Sequence, residues 1–171
     1  ERELLRSVRP HAGAFVSIDA HMPVTEETLG EWRDALADAD AFLPGEDELL
    51  LDDAQVDPQA ALARLVNGRL RFVVFKRGAK GGILYDARDK RFHTWAPRVT
   101  AVVDQTGAGD AFGVGLILAH LEGLPVDACL QRAVVTASFA VEAWGPEALL
   151  AATRADADAR LRQWYGSEVQ R

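Results

Sequence analysis

The chain has 171 residues, 49% of them apolar and 26% charged, with a net charge of −7 at neutral pH, a composition that buries a core and argues against disorder. The acidic balance leaves no footprint for nucleic acid, and no apolar run approaches the ~18 residues of a membrane helix. One cysteine, Cys129, excludes an internal disulfide and fits a reducing, cytoplasmic setting, while histidines at 11, 21, 93 and 120 show no zinc-type spacing.

Residues 1–8 read as helix, with Leu4, Leu5 and Val8 on one face and no capping residue ahead of them. An uncapped opening without an initiator methionine suggests that residues precede Glu1. Ala14 to Ile18 then reads as a short apolar strand ending at Asp19. A helix is expected over 26–37, capped by Thr25, and Ala41 to Leu43 forms a second strand stopped by Pro44-Gly45. Asp57 and Pro58 open a helix to Val66, which Asn67-Gly68 ends. Arg71 to Lys76 is a third strand, followed by a glycine loop over 78–82. A hairpin of 83–86 and 91–95 turns at 87–90. Thr100 to Val103 is expected as a last strand running into Asp104. From Gly109 the pattern is helical, with breaks at Gly123-Leu124-Pro125 and Gly145-Pro146.

Short apolar strands alternating with amphipathic helices imply an α/β fold with a mainly parallel central sheet, whose ligands sit beyond the carboxyl ends of the strands. Four such ends carry polar residues: 19–23, 44–48, 76–82 and 104–110.

Seven of the fourteen glycines fall in two short segments, 78–82 and 107–115. The second, Val103-Asp104-Gln105-Thr106-Gly107-Ala108-Gly109-Asp110-Ala111-Phe112, reads as strand end, small-residue turn and helix start. The first N–H groups of a helix lack partners and carry partial positive charge, so such a turn can receive an anion. No Gly-Lys-Ser/Thr follows, which excludes a Walker loop. A dinucleotide fingerprint fails because its third glycine falls one residue late, Asp110 would face the pyrophosphate, and no acidic strand end follows. Two readings of Asp110 remain. It is a dipole-matched residue of a tight turn, or it is a base that takes a proton from a hydroxyl attacking a phosphoryl group.

Asp104-Gln105-Thr106-Gly107-Ala108-Gly109-Asp110-Ala111-Phe112, followed by Gly113-Val114-Gly115, resembles the C-terminal signature of the ribokinase/PfkB family of carbohydrate kinases. The resemblance implies a ribokinase-like three-layer fold, with the N-terminal part and β lid of such a kinase absent from this chain. All 171 residues would then form the C-terminal catalytic and nucleotide-binding portion of one such domain. Asp110 would be the catalytic base, and the N–H groups of Gly107, Ala108 and Gly109 the anion hole for the γ-phosphoryl group. Phe75-Lys76-Arg77-Gly78-Ala79-Lys80-Gly81-Gly82 is similar to the family's nucleotide loop, with Lys76 aimed at the phosphates and Gly78 and Gly81 shaping it. Thr106 would join the nucleotide contacts.

Glu48 matches the acid that orders Mg2+, although Gly45 stands where the family has Asn. Asp104 matches an acid at a monovalent-cation (K+) site, with carbonyls near Gly145 as co-ligands; as a residue it reads equally as a turn carboxylate. Asp19-Ala20-His21 replaces a strand-end Asp-x-Asn, and His21 is either a ligand contact or a plain loop residue. Gln105 is the one unusual residue of the signature.

The expected activity is ATP-dependent, Mg2+-requiring phosphorylation of a hydroxyl on a sugar or sugar-like substrate. The alternatives are a nucleoside or vitamin-precursor kinase, or a nucleotide-binding scaffold without catalysis. Without the acceptor side, the chain alone is expected to bind nucleotide weakly and transfer phosphate slowly or not at all. A homodimer is compatible with the family and does not follow from this chain.

Overall fold

A computed structural model describes residues 14–20, 22–54 and 56–166. The helix expected over 1–8 and the loop residue His21 lie outside the described residues. The chain divides into two compact units with the boundary between Ala96 and Pro97.

The first unit is an α/β sheet: β1 (Ser17–Ile18), α1 (Leu29–Leu36), β2 (Ala41–Phe42), α2 (Pro58–Leu65), β3 (Phe72–Lys76), β4 (Gly82–Asp86) and β5 (Arg91–Trp95). The strands lie in the order β1-β2-β3-β4-β5. β1, β2 and β3 run parallel, with Ser17 opposite Ala41 and Ala41 opposite Phe72. β4 returns antiparallel on β3, Val74 facing Leu84, and β5 antiparallel on β4. The alternation of strand and helix thus yields the parallel half, and the hairpin yields the antiparallel half.

Each element has a local cause. The Asp57 side chain accepts the Ala60 N–H at 3.1 Å and Pro58 takes the first turn of α2. α1 starts three residues later than the acid-rich run 26–28 suggests. Thr25 and Thr28 exchange side-chain and backbone hydrogen bonds, including Thr25 N–H to Thr28 Oγ1 at 2.9 Å, and fold 26–28 into a separate turn. β1 keeps only two residues of the expected five, because Val16 spends its N–H on the Asp40 carboxylate, at 2.8 Å, and not on a ladder. The core of this unit is Val24, Leu36, Phe42, Leu49, Leu62, Leu65, Val73 and Phe75, with the Trp32 ring tilted against Phe42 at 5.2 Å. Asp86 is fully buried, paired with Arg71 at 3.1 Å, and accepts the N–H of Arg88 at 3.0 Å inside the hairpin turn.

The second unit holds α3 (Ala108–Leu121), α4 (Val126–Ala140), α5 (Glu147–Ala151) and α6 (Arg154–Tyr165). Gly115 of α3 lies so close to α4 that a Cβ there would sit 2.6 Å from Thr136 Oγ1. Around that approach Phe112, Leu116 and Ala119 of α3 and Cys129, Ala133, Val135 and Phe139 of α4 are buried. α6 opens with a capping box in which Thr153 and Asp156 satisfy each other's backbone N–H groups.

The strand expected over Thr100 to Val103 does not form. Val99, Val102 and Val103 are exposed, and the Val103 N–H donates to the Val141 carbonyl at 2.7 Å. A β-branched run becomes a strand only beside a strand partner. This run finds the end of a helix instead.

Candidate active site

In the first unit, three strand ends converge at the carboxyl edge of the parallel strands. The Lys76 N–H donates to the Pro44 carbonyl at 2.9 Å, so the end of β3 lies beside the loop after β2. The Lys76 ammonium is held by both oxygens of Asp19, at 2.7 and 2.9 Å, from the end of β1. The ammonium therefore faces a carboxylate in this structure. Lys80 pairs with Glu46 at 2.6 Å. Arg77, between them, has no acid partner among the described residues, and its Nε is buried without a hydrogen bond. Nothing in the residue pattern separates these three cations, because their partners lie 57 and 34 residues away.

The loop after β3 makes one turn of 3-10 helix over Gly78–Lys80. Gly81 is required by a close approach: with φ at 78°, a Cβ would lie 2.0 Å from the Trp95 carbonyl oxygen. Gly78 faces open space. The glycine matched to a nucleotide contact is thus accessible, whereas Gly81 is held by its own sheet.

Glu48 is half-buried, and its carboxylate reaches back to the N–H of Gly45 at 2.6 Å. The N–H groups of Glu48 and Leu49 in turn donate to the Gly45 carbonyl at 3.2 and 3.1 Å. The backbone of Gly45 therefore orients this carboxylate where an Asn side chain is expected. The other Glu48 oxygen accepts no hydrogen bond among the described residues.

In the second unit, Gly107 caps α3 with φ at 77°, a left-handed conformation that a side chain would strain. Ala108 donates its N–H to the Gln105 carbonyl at 3.2 Å. The N–H groups of Gly107, Gly109 and Asp110 have no partner among the described residues and mark the positive end of a fourteen-residue helix. Asp110 lies in that first turn with its side chain exposed, and Thr106 is exposed just ahead of it. Of the three N–H groups matched to an anion hole, two are open and one is engaged.

Asp104 braces the turn. One oxygen accepts the Thr106 N–H at 3.0 Å and the other the Gly145 N–H at 3.2 Å, tying the turn to the loop after α4. These bonds hold its carboxyl below the ordinary aspartate range, the Thr106 N–H first, then the Thr106 hydroxyl and the Gly145 N–H. A concavity lined by Gly115, Leu118, Glu122, Thr136 and Leu161 runs along α3 and includes none of the residues matched to catalysis, nucleotide or metal. Among the described residues, no three His, Cys, Asp or Glu side chains gather into a metal cage, and no helix is long and apolar enough to cross a membrane.

Fold and site together define an α/β chain with a glycine loop at a parallel strand end and a helix N-terminus open to an anion. The signature of the pfkB family carbohydrate kinase matches residues 3–152. The chain belongs to that family. It is 32% identical over 130 residues to an uncharacterised sugar kinase of Archaeoglobus fulgidus, covering 76% of this chain and 51% of that protein. To the cytidine kinase of Thermococcus kodakarensis it is 28% identical over 147 residues, covering 84% and 52%. The structure of Arabidopsis thaliana ribokinase complexed with ribose and ATP superposes with a TM-score of 0.73 at 25% identity, covering 94% of this chain and 51% of that one. The chain spans about half the length of these relatives. The fold is ribokinase-like, as the resemblance implies.

Proposed function

We propose that this chain is the nucleotide side of an ATP-dependent phosphotransferase that phosphorylates a hydroxyl of a sugar or sugar-like substrate by direct in-line transfer. The observation that carries the reading is the first turn of α3, where the open N–H groups of Gly107 and Gly109 and the carboxylate of Asp110 share one helix N-terminus. An anion hole and a base in one turn are what phosphoryl transfer to an alcohol requires.

Asp110 takes the proton of the acceptor hydroxyl as its oxygen attacks. Gly107 and Gly109 donate N–H groups to the charge on the transferred group, and Ala108 joins them only by releasing Gln105. In the first unit Gly78, facing open space, and Lys76, whose ammonium must be shared with or released by Asp19, are the nucleotide contacts, and in the second unit Thr106 is one. Gly81 holds the loop against Trp95.

Glu48 fits a magnesium ion: its carboxylate is oriented and has one open oxygen, and Mg2+ characteristically takes one or two carboxylates with phosphates and waters. When bound, Mg2+ would neutralise phosphate charge. The contacts of Asp104 are those of a turn brace, Gly145 presents it an N–H and not a carbonyl, and no step runs through a monovalent cation. A reducing cytoplasm suits both an ATP-dependent reaction and the buried thiol of Cys129.

A nucleoside acceptor is the second reading, supported by the similarity to a cytidine kinase. Turnover of the protein carrying this chain against panels of sugars and nucleosides separates the two. Asp110→Asn tests the chemistry itself. Turnover should fall by roughly 10²–10⁴-fold while nucleotide affinity is kept. Unchanged turnover would remove Asp110 from the mechanism.

A further inference from the structure

Glu142 and Arg160 form a bidentate ion pair, Oε1 to Nη1 at 2.8 Å and Oε2 to Nη2 at 3.1 Å, with side chains only 18% and 16% exposed. Arg160 comes from α6, which lies beyond residue 152, where the family match ends. Its guanidinium also donates to Ser138 Oγ at 2.8 Å, lies 3.7 Å above the Phe139 ring and approaches Trp164 at 5.4 Å. α6 thereby grips the C-terminal end of α4 by charge, hydrogen bond and ring.

That end of α4 carries the segment leading into the Gly107 turn. Glu142 accepts the Thr100 hydroxyl, the Val141 carbonyl accepts the N–H groups of Val103 and Asp104 at 2.7 and 3.4 Å, and Asp104 holds the Gly145 N–H. Residues 100–106 have no sheet to fix them, and these contacts take the place of a ladder. We infer that the Arg160–Glu142 pair is a positioning device for the Gly107–Asp110 turn, acting through Thr100 and the backbone of 103–104. The inference rests on reading that turn as the reactive one.

Arg160 and Glu142 touch no reacting atom in this scheme. Their effect is to keep the open N–H groups and Asp110 at a fixed entry to α3, and preorganised donors are the ones that lower a barrier. Breaking a pair this well covered leaves a charge without a partner, so the severe variant strains α6 as well. Thr100→Val is the mild variant, because it removes one hydroxyl contact and leaves the pair intact.

The test is site-resolved amide exchange on the whole chain for Thr100→Val, Arg160→Met and Arg160→Lys, combined with kcat and nucleotide KM of the protein carrying it. In Thr100→Val, exchange at Val103, Asp104 and Thr106 should quicken about tenfold, with Ala133 and Val134 in the interior of α4 unchanged. Arg160→Met should quicken the same amides further, and Arg160→Lys should recover part of the protection. kcat should fall with KM for nucleotide held. Exchange at 103–106 that matches the unaltered chain, or that rises only in step with the α4 interior, overturns the positioning role. So does an unchanged kcat beside loosened exchange. If the unaltered protein transfers no phosphate, the kinase reading fails, and exchange alone decides whether the pair fixes the turn.

Discussion

Asp104 shows what a single carboxylate does at this turn. Its pKa is depressed by hydrogen bonds that only the folded chain supplies, so its contribution is present above the unfolded value and lost as pH falls through the folded one. The turn should therefore stay closed while ordinary aspartates protonate and loosen only at lower pH. A carboxyl NMR titration checks this, with the Thr106 and Gly145 amide shifts moving at the same midpoint. A midpoint at or above the ordinary aspartate value contradicts the bracing. At this scale the residue pattern carried the Asp57 cap and the glycine at the head of α3, since both follow from rules spanning three or four residues. It could not reveal that Asp19 occupies Lys76 or that Arg77 is left without an acid among the described residues. Those facts depend on which strand ends the sheet places side by side.

Among elements, the β4–β5 hairpin was legible because apolar runs flank a polar turn, and its stability rests on a residue the pattern did not single out. Asp86 is fully buried, with Arg71 and the N–H groups of the turn as partners. Asp86→Ala removes one member of that buried pair and should cost about 3 kcal/mol in urea unfolding. A loss below about 1 kcal/mol would assign the hairpin to its ladder alone. The Thr100–Val103 segment is the opposite case. Its composition favours a strand, yet among the described residues no strand lies beside it and a helix end takes the Val103 N–H. Period and propensity describe a segment's own preference, and pairing is decided by what the rest of the chain puts next to it.

The chain folds as two units, a mixed sheet with its own hydrophobic core and a helical unit built on α3 and α4. Each carries part of the predicted machinery, the glycine loop and Glu48 in the first and the Asp110 turn in the second. If the chain alone retains a nucleotide site, Mg-ATP at 100 times its dissociation constant should stabilise it by about 2.7 kcal/mol, read as a rise in melting temperature. An unmoved melting temperature under those conditions would show that the site needs more than these residues. The family signature was readable because it is local, one turn and one helix start. What the relatives carry outside the matched half was not readable, since the chain spans about half of their length.

The hydrogen bond from Gly45 to Glu48 bears on how this strand end tolerates sequence change. An Asn that orients an acid through its amide is lost at the first point mutation, because the anchor is a side chain. Here the anchor is a peptide N–H, which nineteen of the twenty amino acids supply equally. Drift at position 45 is limited only by room, since a Cβ there would stand 3.2 Å from the Glu48 carboxylate. Proline alone abolishes the donor. A carboxylate held this way is buffered against replacement of its neighbour, because every residue but proline at position 45 keeps the donor that Glu48 accepts.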